Sequence, residues 1–157
     1  MPTARRLLEL LRARGLRLAV AESFTGGRIQ DRLTDVPGCS DVFVGGLVAY
    51  HNDLKAALLG VKASTLNRHG AVSRECVQQM AAAIRRRMRA DLGLATTGIA
   101  GPTGSTATKP LGLTFVAVAT RRSTRVEQRV FRGRRDDVKE KATRFALDLV
   151  ARSLRNP

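Results

Sequence analysis

LATTGIAGPTGSTATKP (residues 94–110) begins like a buried strand and then becomes a loop of Gly, Thr, Ser and Pro with almost no side chain able to hold a core. A loop this long inside a compact domain is uncommon, and where it occurs it is usually functional or disordered. Before it, LGLATT reads as a strand; after it, LGLTFVAVAT and TRVEQRVFR read as a hairpin turning around Arg122 and Ser123. Thr97, Gly98 and Gly101 leave the backbone bare, so its amides can approach a ligand's phosphate or a developing oxyanion. Lys109 and Pro110 close the loop before the next strand.

Working outward, strands and helices mix without strict alternation. A first helix is expected from Thr3, an N-cap, to Gly15, with Leu7, Leu8, Leu10 and Leu11 as its buried stripe. LRLAVAES reads as a strand, SFTGG as a turn and GGRIQDRLTD as a helix. DVFVGGLVAY is a second strand ending at Tyr50, and NDLKAALLG a short helix capped by Asn52. STLNRHG reads as a turn leading to Ser73, the cap of a long helix through RECVQQMAAAIRRRMRA. The last helix begins near Asp136 and Asp137, whose charges suit its N-terminus. This pattern predicts an α/β fold, a single-domain three-layer sandwich over residues 1–157 with a mixed sheet and helices on both faces.

The composition narrows the function classes. Hydrophobic residues make up 43% of the 157, enough for a real core and too many for general disorder. No apolar run reaches bilayer length, and MPTARRLLELLRARG lacks the apolar segment and cleavage site of a signal peptide, so a cytoplasmic protein without a membrane partner is expected. Cys39 and Cys76 have no metal-ligand spacing, and with only His51 and His69 beside them no metal site is expected. The formal net charge of +15 attracts nucleic acid or phosphate-bearing ligands. With no Trp and one Tyr to stack bases, a solvated arginine-rich surface ranks above a nucleic-acid interface.

Three polar segments follow strands, where ligands bind in open α/β sheets: Ser23–Gly27, Ala49–Lys55 and Thr97–Gly104. The first is a hydroxyl-rich turn whose glycines precede a helix, so its exposed N–H groups make either an anion pocket or a capped tight turn. The second holds the single Tyr, and Lys55 beside it acts as a base if desolvation lowers its pKa; the alternative is an interface Tyr beside a surface Lys. His51 neighbours Tyr50 on the expected strand and faces away from it, and the G-x-S-x-G pattern is absent, which argues against a Ser-His-Asp hydrolase.

AESFTGG, DVPGCS, AYHNDLKAALLGV, HGAVS, TTGIAGPTGSTATKPLG and FRGRRDDVK, in that order, resemble the CinA C-terminal domain family from about Ala4 to Leu154. The resemblance implies an α/β sandwich, commonly dimeric and without metal or organic cofactor, that hydrolyses nicotinamide mononucleotide to nicotinic acid mononucleotide and ammonia in pyridine nucleotide recycling. By position in the motifs, Ser23 is the expected nucleophile and Lys55 its base, with Tyr50 as relay. Thr25, Gly26, Gly27, Ser40, Asn52, Thr97, Gly98, Ala100, Gly101 and Arg135 are the expected substrate-binding set. Amides near Gly26 or Gly98 hold the oxyanion, and Arg135 with the bare loop holds the 5′-phosphate. The chain departs from the family pattern at Phe24 (Cys), Gly45 (Arg), His51 (Ser) and Arg134 (Asp). Two alternatives stand beside the amidase: a non-catalytic nucleotide- or nucleic-acid-binding module linked to competence and damage, and an amidase with a shifted substrate.

Overall fold

The computed structural model describes residues 4–155. In chain order the elements are α1 (Ala4–Ala13), β1 (Leu18–Glu22), α2 (Arg28–Thr34), a short 3-10 turn (Cys39–Asp41), β2 (Phe43–Val48), α3 (Asn52–Leu59), α4 (Ala63–His69), α5 (Arg74–Arg87), β3 (Leu92–Gly98), β4 (Leu113–Ala119), β5 (Thr124–Val130) and α6 (Arg135–Arg155). The strands form one sheet in the order β2-β1-β3-β4-β5. β1 is parallel to β2 and β3, whereas β4 is antiparallel to β3 and β5. The mixed sheet and the three layers expected from the sequence are present.

The strands alternate their side chains between two cores, as the pleat requires. On one face Leu18, Val20, Leu94, Val116 and Val118 pack under α1, α2 and α6. On the other, Ala19, Ala21, Ala95 and Ala117 meet Val77, Met80, Ala81 and Ile84 of α5. That second face is built of small residues because α5 lies close. A Cβ on Gly93 would come 2.1 Å from the carbonyl oxygen of Ala81, so only glycine fits there. A third cluster of Phe24, Ala100, Val138 and Ala142 ties the turn after β1, the loop after β3 and the start of α6 together at one end of the sheet.

Four boundaries differ from the sequence reading. STLNRH is not a turn but the body of α4, which ends at His69 before Gly70. β2 stops at Val48, so Tyr50 lies in the link to α3 and not on a strand beside His51. Asn52 is the first residue of α3 and not its cap; His51 is the cap, its Nδ1 accepting from the Asp53 N–H at 3.3 Å. α5 ends at Arg87, and Arg89 stands beyond it at φ +50°. The expected cap at Thr3 lies outside the described residues.

Candidate active site

Ser23 and Tyr50 follow the carboxyl ends of parallel strands and Gly98 is the last residue of another, so topology gathers their segments at one end of the sheet. β1 and β2 pair as far as Glu22 with Val48, and the Ala49 N–H continues the ladder by donating to the Glu22 carbonyl at 2.8 Å. Carrying that register forward one residue sets Ala49 beside Ser23. Lys55 reaches back from α3 to this point, its Nζ donating to the carbonyls of Ala49 at 2.9 Å and Tyr50 at 2.8 Å. The ammonium thus caps the carbonyls of the chain leaving β2, where Ala49 is still paired to the end of β1 that leads into the buried Ser23. The Ser23 hydroxyl has no hydrogen-bond partner among the described residues.

Lys55 is 1% exposed. Burial pulls its pKa below the ordinary 10.5, and the neighbouring Cys76 opposes this weakly. Two carbonyls engage two of its N–H bonds. A neutral amine has two N–H bonds and one lone pair, so in that form the lone pair points along the remaining tetrahedral direction, away from both carbonyls. Cys76, in turn, is pushed up to about 11 by burial and stays a thiol.

The turn after β1 is not an open anion pocket. The carboxylate of Glu22 fills it from within: Oε2 accepts from the N–H groups of Gly27 and Ile29, and Oε1 from the backbone and side-chain N–H groups of Gln30. The Gly26 N–H donates to the Ser23 carbonyl inside the turn. The amides of Phe24 and Thr25 have no acceptor among the described residues. The Thr25 hydroxyl is turned inward onto Thr96 at 2.9 Å, and the Thr97 hydroxyl donates to the Ala71 carbonyl at 2.8 Å. Both hydroxyls hold the scaffold.

Arg135, the first residue of α6, joins two of the expected site segments. Its Nη1 donates to the Gly101 carbonyl and its Nη2 to the Tyr50 hydroxyl, both at 2.9 Å. The phenol therefore faces Arg135, while Tyr50 meets Lys55 only through its carbonyl. Ala100 is buried with Phe24. Gly98 is a close approach: a Cβ there would stand 2.8 Å from the Phe24 ring and 2.7 Å from the Leu113 carbonyl oxygen. Asn52 is exposed at the start of α3. Ser40 is the residue not brought to the cluster. It precedes β2 in the turn Cys39–Asp41, at the opposite end of the parallel strands from Ser23.

Lys139 was not among the expected residues, yet its Nζ lies only 3.5 Å from where a Gly26 Cβ would be. It falls one helical turn after Arg135, on the same face of α6. That i, i+4 spacing within FRGRRDDVK was the available signal.

The family model for the CinA C-terminal domain matches residues 1–154. A CinA-like protein from Acidobacterium capsulatum is 47% identical over 148 residues, covering 94% of this chain and 36% of its own length. The chain thus spans about a third of the length of the curated relatives it matches. Among solved structures, a competence-damaged protein (CinA) superfamily protein from Klebsiella pneumoniae superposes with a TM-score of 0.95 at 33% identity, covering 98% of this chain and 96% of that one. The competence/damage inducible protein CihA from Agrobacterium tumefaciens gives 0.93 at 39% identity, with 98% and 93% covered. The chain belongs to the CinA C-terminal domain family.

Proposed function

We propose that this chain is an amidohydrolase that converts nicotinamide mononucleotide to nicotinic acid mononucleotide and ammonia. The observation that carries this reading is the buried Lys55 amine, held by the carbonyls of Ala49 and Tyr50 where β2 leaves the end of β1 that leads into Ser23, whose hydroxyl has no partner among the described residues. In its neutral form, with both N–H bonds engaged, Lys55 has only its lone pair to offer, which suits a general base.

In this mechanism Lys55 takes the Ser23 proton as the serine oxygen attacks the carboxamide carbon. The amides of Phe24 and Thr25 receive the oxyanion, in place of the engaged Gly26 amide. Lys55 returns the proton to the departing ammonia, and water then cleaves the serine ester, Lys55 taking the water proton and delivering it to the leaving Ser23 oxygen. Arg135 uses two of its five N–H donors on Gly101 and Tyr50, leaving three for a phosphate. Lys139, over the Gly26 turn, adds a second cation on the same side. Tyr50, pinned by Arg135, contacts the substrate in this scheme and does not relay a proton. The reading includes a homodimer, supported by the exposed apolar side chains of Val48 at the end of the edge strand β2 and Leu54 on α3; sedimentation at two concentrations tests it.

The decisive experiment is ammonia release from nicotinamide mononucleotide by the wild type, Ser23→Ala and Lys55→Met. Release by the wild type and its loss, by about three orders of magnitude or more, in both variants is expected. Release that survives in Ser23→Ala assigns the attack elsewhere. A folded wild type that releases no ammonia overturns the amidase reading and leaves a shifted substrate or a nucleotide-binding module.

A further inference from the structure

The opposite end of the sheet carries a cavity that the amidase reading does not use. It has a volume of about 530 Å³ and opens between the end of α1, the end of α6 and the β4–β5 hairpin. Its floor is apolar: Leu16, Leu92, Val118 and Leu154, where the core under α1 and α6 reaches the surface. Its rim is cationic: Arg14, Arg121, Arg122 and Arg125. Leu92 begins β3 and Gly98 ends it, so the cavity lies about 20 Å from the candidate active site at about 3.3 Å per residue.

The charge on this rim is largely unbalanced. Asp91 is its one acidic residue, and its Oδ2 accepts the Arg17 N–H. Arg125 pairs with Glu127, but Glu127 is shared with Arg152. Neither Arg121 nor Arg122 forms an ion pair among the described residues. Thr120 accepts the N–H groups of Arg122 and Ser123, which fixes the hairpin turn and with it the direction in which the two arginines leave the backbone. Guanidinium groups over an apolar floor are complementary to a ligand with an apolar body and an oxyanion head. The volume falls inside the range of small-molecule sites, about 300–1,000 Å³.

We propose that this arginine-rimmed cavity is a second binding site, for a small amphipathic organic anion whose apolar or aromatic body covers Leu92, Val118 and Leu154 and whose phosphate, sulfonate or carboxylate head meets Arg121 and Arg122. The site is distinct from the candidate active site and its occupancy does not require Ser23 or Lys55.

Titration with anilinonaphthalene sulfonate, an aromatic anion, tests this by fluorescence and calorimetry. One saturable site per chain is expected. Arg121→Glu/Arg122→Glu should bind at least about ten-fold more weakly. Arg5→Glu/Arg68→Glu, an equal charge change on exposed residues elsewhere, should leave the affinity within about two-fold. Both pairs are exposed, and unchanged melting temperatures verify that the variants fold. Ser153→Phe, which fills the cavity from α6 without changing charge, should also abolish the saturable phase. Several weak sites, or equal loss in the two double variants, would mean general attraction to a basic surface and overturn the proposal. Displacement of the dye by a random oligonucleotide with a steep salt dependence would overturn it in favour of a polyanion surface.

Discussion

His51 and Arg134 both differ from the family pattern, and both stand at helix N-termini. At His51 the swap is compensated, because Nδ1 accepts the Asp53 amide as a serine hydroxyl would. At Arg134 it is half compensated. Asp137 reaches back to the Arg134 N–H at 2.9 Å, but arginine has no oxygen to return to the helix. Arg134→Asp should therefore raise stability by about 0.5–1 kcal/mol, read from denaturant midpoints at unchanged slope, and leave ammonia release unaltered. Lys55 gives a second expectation at this scale. Its folded pKa is below the unfolded 10.5, so between the two values the unfolded chain binds more protons and stability rises with pH. Cys76 acts in the opposite sense from pH 9, its unfolded value, to about 11. The wild type should therefore carry a component of melting temperature that rises as pH passes from the folded value of Lys55 toward 10.5, and Lys55→Met, which keeps Cys76, should lack it. Parallel curves for the two proteins would contradict the desolvation of Lys55. The sequence made Ser23 and Lys55 legible as types in motif positions, but not the two carbonyls that orient the amine, because those depend on where β2 stops.

Periodicity exposed most of the secondary elements. It hid α4, whose polar ASTLNRH lacks an apolar stripe, and it left open whether the turn before α2 was an anion pocket or a capped tight turn. Seven residues is too short for α2 to persist on propensity alone, since nucleation is costly and each short helix leaves its first amides orphaned. Glu22 at the end of β1 satisfies three of the backbone amides at the start of α2, a function that cannot be seen until strand and helix are placed against each other. Replacing it by Gln turns one acceptor oxygen into a donor that faces bonded N–H groups. Glu22→Gln should cost about 1–3 kcal/mol and loosen the Ser23 turn, seen as early hydrogen exchange at Gly27, Ile29 and Gln30. Protection equal to the wild type at those amides would show that α2 is held by its packing alone. At the far edge, β5 is tied to α6 by Arg152, which donates from Nη1 and Nη2 to the two oxygens of Glu127 at 2.8 and 2.9 Å. Arg152 holds the Glu127 carboxyl below its ordinary 4.5, so its stabilisation is present above that pH and lost as pH falls through the folded value. Glu127→Gln should cost up to about 1 kcal/mol at neutral pH and nothing once pH has fallen below the folded value. Strand order was illegible because nothing local to a strand names its neighbour.

Charge is the property of the whole molecule that the sequence stated outright, and its consequence for stability follows from where the acids went. Of 13 acidic residues against 28 basic, Asp41, Glu127, Asp136, Glu140 and Asp148 are each paired with arginine. Glu140 meets Arg28, Arg32 and Arg144 at once, clamping α2 to α6. The surplus arginines repel one another over distances comparable to the molecule. Two salt effects then compete. Surface pairs such as Arg12 with Asp41 are worth about 0–1 kcal/mol each and weaken on screening. Repulsion from a net +15 acts at longer range, and a Debye length falling from about 30 Å at 0.01 M to about 8 Å at 0.15 M removes most of it while leaving contacts near 3 Å much less affected. Repulsion should win, so melting temperature should rise between 0.01 and 0.15 M potassium chloride by about 2–4 °C, the equivalent of about 1 kcal/mol for a chain of this size. A melting temperature that falls over that range would mean that the clamps of Glu140 and Glu127 outweigh the surplus charge. In that case Glu140→Gln should abolish much of the fall.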